Sequence, residues 1–275
     1  MELSLDSRLS LNDGHRIPVF GLGMYQVPQG RTAEAALQAA FAEGYRLVDT
    51  ARMYGNERDV GRAVRASGLP RDDVFVTTKL WNSDHGYDRA LRAFEESRRD
   101  LGLDVVDLYL IHWPVPRLRG NTWKALVALR ESGRCRSIGV SNYTIPHLEE
   151  LLASSSVVPA VNQVEFSPFL YQKDLLDFGS RHGIVLEAYS PLTKGERLGE
   201  PVIVDLAAKY GRTPAQIVLR WALQHGVVVI PKSVRLERIR ENARIFDFAL
   251  SPKDMARLDD LSEGYRTSWN PEGGP

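Results

Sequence analysis

Short apolar runs recur along the chain at intervals that leave room for one amphipathic helix between each pair. A turn signal at Asn12-Asp13-Gly14 splits SRLSL from HRIPVF and predicts an N-terminal β-hairpin. Eight strand-like runs follow: Val19–Leu22, Arg46–Asp49, Val74–Lys79, Val106–Ile111, Arg136–Val140, Val161–Glu165, Ile184–Ala188 and Val227–Ile230. They lack strict apolar–polar alternation, as expected of parallel strands covered on both faces. Between them the period lengthens to that of a helix. In TAEAALQAAFAEG, Leu37, Ala40, Phe41 and Gly44 fall at i, i+3, i+4 and i+7, one face that would cover a sheet. Successive runs start roughly 23 to 43 residues apart, and a βαβ unit needs roughly 30 or more. Eight such units predict a (β/α)8 TIM barrel in preference to an open doubly wound sheet. Two segments exceed the plain alternation, VIVDLAAKYG before the seventh barrel helix and SPKDMARLDDL near the end, and predict two extra helices. The last residues, SEGYRTSWNPEGGP, predict an extended tail. No stretch reads as a linker, so a single domain over residues 1–275 is expected.

Composition narrows the class of function. At 275 residues and 43% hydrophobic, the chain can bury a barrel-sized core. Its 35 Lys and Arg balance 35 Asp and Glu, so nothing suggests nucleic acid or an anionic membrane as partner. Cys135 is the only cysteine, which excludes an intrachain disulfide and permits a reducing compartment; it reads as a structural thiol. MELSLDSRLSL has no basic segment followed by an apolar run, so no secretory signal is expected, and no apolar run approaches the roughly 18 residues that span a bilayer. A cytoplasmic monomer acting on a small molecule is the expectation. The sequon Asn142-Tyr143-Thr144 reads as chance without a signal.

Candidate chemistry gathers where a barrel keeps its active site, at the C-terminal ends of the strands. Asp49 ends the second run, Lys79 ends the third and His112 follows the fourth, while Tyr54 lies five residues after Asp49 on a short loop. Taken singly, each has an ordinary structural explanation: a buried ion pair, a core histidine, a tyrosine packing a loop. Together at one mouth they argue for chemistry, because a buried pair of opposite charges is a poor stabiliser beside apolar packing. Tyrosine ionises near pH 10 at about its reference value, too high for easy proton exchange near neutrality. A Lys79 ammonium beside Tyr54 is expected to lower that value, with Asp49 fixing the lysine. Uncharged His112 could hydrogen-bond a substrate carbonyl oxygen and aim it at Tyr54.

These residues sit in stretches that resemble the aldo-keto reductases over essentially the whole chain: DTARMYGNERDVG, TTKLWN, YLIHWP, RSIGVSNY, AVNQVEFSP, LEAYSPL and VIPKSVRLERIREN, in that order. The resemblance implies Asp49, Tyr54, Lys79 and His112 as a catalytic tetrad and NADPH as hydride source. It also implies that Ser141, Asn142 and Gln163 hold the nicotinamide carboxamide, that Tyr189 stacks on the ring, and that Ser190 and Leu192 line the pyrophosphate. Lys232, Ser233, Val234, Arg238, Glu241 and Asn242 would surround the adenosine end and its 2′-phosphate. The residues themselves support that last group. Lys232 and Ser233 follow the eighth run, where barrels commonly bind phosphate. Arg238, Glu241 and Asn242 fall on one helical face, and Leu236, Ile239, Ala243 and Phe246 form a separate stripe expected to face the core.

Rival signatures are incomplete. Gly21-Leu-Gly23-Met-Tyr-Gln26 lacks the third glycine of a dinucleotide fingerprint, and Gly139-Val-Ser141-Asn-Tyr143 lacks the final glycine of a nucleophile elbow. No HExxH, CxxC or paired-histidine motif suggests a metal. Tyr25, Trp81 and Trp113 each follow a strand and could form an aromatic substrate wall. The loop Pro114–Asn121 and the tail are short for the family, which argues against a steroid-sized pocket and is similar to bacterial reductases of the 2,5-diketo-gluconate type. Thr193 stands where the resemblance leads one to expect Gly after SPL. Two other classes stay open: a non-catalytic cofactor-binding regulatory or structural barrel, and a sugar-phosphate isomerase or aldolase, which would leave Tyr189 and the Lys232–Asn242 cluster without roles.

Overall fold

The computed structural model describes residues 3–273. At its centre lie eight parallel strands in sequence order: β3 (Gly21–Gly23), β4 (Leu47–Asp49), β5 (Phe75–Leu80), β6 (Val106–Ile111), β7 (Cys135–Ser141), β8 (Val161–Glu165), β9 (Val185–Tyr189) and β10 (Val228–Val229). A parallel bridge from Phe20 to Val229, with Gly23 N–H donating to the Pro231 carbonyl at 3.2 Å, joins last strand to first and closes the barrel. Gly23 allows this seam, because a Cβ there would lie 2.7 Å from the Ile230 carbonyl oxygen. The regular ladder is short on both sides of the seam. β3 is therefore shifted from the expected Val19–Leu22, and β10 is only the middle of the expected Val227–Ile230.

An antiparallel hairpin, β1 (Arg8–Ser10) with β2 (Arg16–Pro18), precedes the barrel. Leu11 and Ile17 from it are buried in one cluster with Leu47, Phe75, Leu108, Val161 and Val228, so the hairpin plugs the N-terminal end. The outer ring consists of α1 (Arg31–Ala42), α2 (Glu57–Ala66), α3 (Tyr87–Leu101), α4 (Arg119–Glu131), α5 (Ile145–Ser154), α6 (Lys173–His182), α8 (Pro214–Gln224) and α9 (Leu236–Ala243). α7 (Pro201–Tyr210) and α10 (Pro252–Asp259) are the two extra helices. Local signals fix their starts: α8 begins with Thr213 and Gln216 in a reciprocal capping box and Pro214 in the first turn.

The apolar stripe expected on α9 is corrected at one position, and one residue of its polar face is buried. Leu236 is 44% exposed, whereas Asn242 is buried beside Ile239. The helix has eight residues and starts at Leu236, so its first turn overhangs the barrel rim instead of packing on it. Cys135 is buried, its thiol donating to the Ser137 carbonyl at 2.9 Å, and burial pushes that thiol well up from its ordinary range. Among the described residues, no helix is long and apolar enough to cross a membrane.

Candidate active site

Alternate residues of each strand face the barrel axis. Leu47, Phe75, Leu108, Leu110 and Val161 belong to the buried interior cluster. One or two steps of two residues further along the same strands come Asp49, Lys79, His112 and Gln163. Apolar side chains thus fill the lower layers and polar ones the mouth. Tyr54 arrives on a single helical turn, Arg52–Tyr54, that ends at Gly55 in the left-handed region with φ 72°.

Lys79 is fully buried, and its three N–H donors meet three acceptors: Asp49 Oδ1 at 2.7 Å, the Thr50 carbonyl at 2.9 Å and the Tyr54 hydroxyl at 3.3 Å. Since Tyr54 accepts from the lysine, its own hydrogen is free to point elsewhere. Burial pushes the Tyr54 phenol well above the ordinary tyrosine range, and Asp49, Tyr25 and Glu187 push the same way. The expected net lowering by Lys79 is therefore corrected: Asp49 neutralises the ammonium at close range, and desolvation decides the direction.

His112 packs edge-on against Tyr54, ring centroids 5.8 Å apart, and against Trp81 at 5.1 Å. Burial first, then the Lys79 charge, hold its imidazole well below the ordinary range, so it is neutral. Nδ1 is buried with no hydrogen-bond partner among the described residues. A proton there would be an orphaned donor, which puts it on Nε2 and makes that atom the one able to donate.

Beside these four lies a second polar group. The Ser141 hydroxyl donates to the Gln163 carbonyl at 2.8 Å, the Asn142 amide donates to the His112 carbonyl at 3.0 Å, and the Tyr189 hydroxyl donates to Asn142 Oδ1 at 2.8 Å. Asn142, the sequon asparagine, is buried. Ser190, Thr193 and Lys194 all adopt left-handed φ, 47°, 48° and 54°. Such a backbone disfavours β-branched threonine, at the very position where glycine was expected. Ser190 and Leu192 are half-buried, Ser233 is buried, and Lys232, Val234 and Arg238 are exposed on the rim. Among the described residues neither Lys232 nor Arg238 has a carboxylate partner, while Glu241 accepts from the Thr213 hydroxyl at 2.7 Å.

The Aldo/keto reductase family matches residues 19–263. The chain belongs to this family. A glyoxal reductase of Bacillus subtilis is 48% identical over 272 residues, covering 99% of both chains. A morphine 6-dehydrogenase of Pseudomonas putida is 48% identical over 278 residues, covering 96% of this chain and 94% of its own. A variant of Gox0644 solved with NADPH superposes with a TM-score of 0.91 at 44% identity and 97% coverage of each chain. The chain is an oxidoreductase of the same barrel type.

In this aldo/keto reductase, the fold brings in residues that sequence reading passed over. Glu187 pairs with Gln163 across β8 and β9, and Gln163 Nε2 donates to both Glu187 Oε2 and Asp49 Oδ2, each at 2.8 Å. Glu187 lies two residues before Tyr189 on the inward face; counting inward positions would have found it. Glu165, also buried, accepts from the Thr267 backbone N–H and hydroxyl, both at 2.6 Å, and from the Ser268 N–H at 3.2 Å. Lys194 donates to the Thr267 carbonyl at 2.6 Å. The tail is thus tied across the barrel mouth instead of trailing away, and Trp269 lies against buried Trp113, ring centroids 5.5 Å apart. Of the expected aromatic wall, Tyr25 is 45% exposed and stands 5.1 Å from the Tyr54 ring, while Trp81 is half-buried.

Proposed function

We propose that this chain reduces carbonyl compounds to alcohols with NADPH, acting on aldehydes, ketones, α-dicarbonyls or keto-sugar acids, with Tyr54 as proton donor. The reading is carried by the bridge that Lys79 makes between Asp49 and Tyr54 beside a neutral His112. When bound, the dinucleotide supplies the hydride. His112 Nε2–H donates to the carbonyl oxygen and directs it toward Tyr54. Tyr54 gives its proton to that oxygen as charge develops there, and Lys79 stands 3.3 Å from the tyrosinate oxygen that remains. Asp49 keeps the lysine in place.

The residues fit a phosphorylated dinucleotide. Lys232 and Arg238, cations without carboxylate partners among the described residues, suit a 2′-phosphate beside Ser233, with Val234, Glu241 and Asn242 around the adenosine. Ser141, Asn142 and Gln163 offer a carboxamide their hydrogen bonds, Tyr189 offers its ring, and Ser190 and Leu192 flank the pyrophosphate. Tyr25, Trp81 and Trp113, joined by Trp269, wall the substrate. The glyoxal reductase and morphine 6-dehydrogenase relatives support a dicarbonyl or ketone substrate, and the NADPH-bound neighbour supports the cofactor. The test follows NADPH consumption with a panel of aldehydes, α-dicarbonyls and keto-sugars. Turnover with at least one class is expected; none with any carbonyl, despite cofactor binding, would leave a non-catalytic cofactor-binding barrel instead.

A further inference from the structure

Two buried carboxyl groups share one amide beneath the mouth. Asp49 also receives the Lys79 ammonium, but among the described residues Glu187, with no exposed surface, has only Gln163: its Oε2 accepts from Nε2, and its Oε1 is buried without any partner. The groups facing Glu187 are Asp49 from β4, Lys79 from β5, Gln163 from β8 and Tyr54 from its loop; its neighbour on β10 is Val228. Two carboxylates against one ammonium would leave a net negative charge in a dry interior, with one anionic oxygen lacking any donor. That arrangement is costly, and protonation of one carboxyl removes the net charge. The proton belongs on Glu187, because Asp49 has the direct bond to Lys79. Burial first and Asp49 second push the Glu187 carboxyl up to about 8.

Building on the reductase reading, we propose that Glu187 is a positioning residue, a neutral carboxylic acid that holds Gln163 against Asp49 and, once ionised at alkaline pH, keeps the proton on Tyr54. As an acid it leaves the Asp49–Lys79 pair balanced. As a carboxylate it adds a like charge below Tyr54 and opposes formation of tyrosinate. Oxidation of an alcohol needs tyrosinate as the proton acceptor, so an ionised Glu187 delays the alkaline rise of that direction.

The experiment compares wild type with Glu187→Gln and Glu187→Leu. With glutamate carboxyls labelled by ¹³C, the infrared difference between wild type and Glu187→Gln at neutral pH should show a protonated carboxyl band that fades as the pH is raised. Absence of the band at neutral pH overturns the proposal, and so does a band that persists in Glu187→Gln. This readout needs no turnover, so it stands even if the reductase reading fails. In NADP⁺-dependent alcohol oxidation, Glu187→Gln should begin its alkaline rise about one pH unit lower, the scale of a lost like-charge neighbour. Superimposed profiles count against the charge role. Gln at 187 still accepts from Gln163, whereas Leu cannot; Glu187→Leu should show the same displacement with a lower plateau, and an equal plateau removes the positioning role. Should either variant fold poorly, thermal melts still discriminate. A carboxyl raised in the folded state loses stability as pH climbs from the usual carboxylate range through its folded value, so the midpoint of Glu187→Gln should gain on wild type across that window. Parallel pH dependences would refute a neutral Glu187.

Discussion

Lys79 presents its ammonium to the Tyr54 hydroxyl at 3.3 Å, from a position where the lysine is fully buried and the tyrosine half-buried. The contact serves the two states of the tyrosine differently. With Tyr54 protonated, the lysine occupies a lone pair and leaves the O–H hydrogen available for donation. With the proton gone, the same N–H faces an anion and the hydrogen bond strengthens. Under the proposed mechanism, the four residues would hold a firm phenol at rest and stabilise tyrosinate only as the proton leaves.

Tyr54→Phe removes the proton and preserves the ring packing against Tyr25 and His112. Turnover should fall by roughly 10²- to 10⁴-fold, with NADPH affinity little changed. Steady-state kinetics with a fluorescence titration of the cofactor checks this; near-normal turnover would reassign the proton donor.

Lys79→Met should act on pH dependence and on stability together. Reduction needs the Tyr54 proton, and without the cation the phenol is harder still to ionise, so the alkaline fall in reduction should move to higher pH while the rate drops. Asp49 is left buried without its counter-charge, a loss on the order of 3 to 5 kcal/mol. A pH–rate series and a denaturant melt measure the two effects. An unmoved alkaline limb at measurable activity would show that Lys79 does not govern Tyr54.

Arg238→Ala tests the phosphate site. A hydrogen bond to a charged group is worth roughly 1.5 to 3 kcal/mol, and 1.4 kcal/mol is about tenfold, so NADPH affinity should fall tenfold to a hundredfold. NADH, lacking the phosphate, should bind nearly as before, and the salt dependence of NADPH binding should flatten. Equal weakening of both cofactors would place the phosphate elsewhere.

Glu165→Gln tests whether the tail belongs to the substrate site. The amide loses the charge that draws in Thr267 and turns a donor toward one of the N–H groups held now, so the tail should loosen and Trp269 leave Trp113. Faster tryptic cleavage at Arg266 and a raised KM, with kcat less affected, are expected. Unchanged cleavage and KM would leave the clasp without a role in the site.

Sequence alone determined the barrel and named the candidates for the reacting groups. Eight apolar runs at βαβ spacing admit few other architectures, and position at a strand's C-terminal end told that Asp49, Lys79 and His112 share one mouth. Such signals are local: hydrophobic period, strand length, and the chemistry of the residue that follows. What only the tertiary structure decided depends on distances between separate strands. Whether Lys79 lowers Tyr54 turns on burial and Asp49 set against the lysine charge, which no spacing encodes, and the outcome is reversed from the one expected. Glu187 passed as one more strand residue because its significance arises from Gln163 on the neighbouring strand and Asp49 across the barrel. Glu165 gains meaning only when a tail about a hundred residues later returns over it. Leu236 matched a helical stripe whose other members pack on the core, yet the helix starts there and leaves that one side chain exposed. Periodicity specifies which face is apolar; the packed fold specifies which charges lie within a few ångströms, and electrostatic energy depends on that separation.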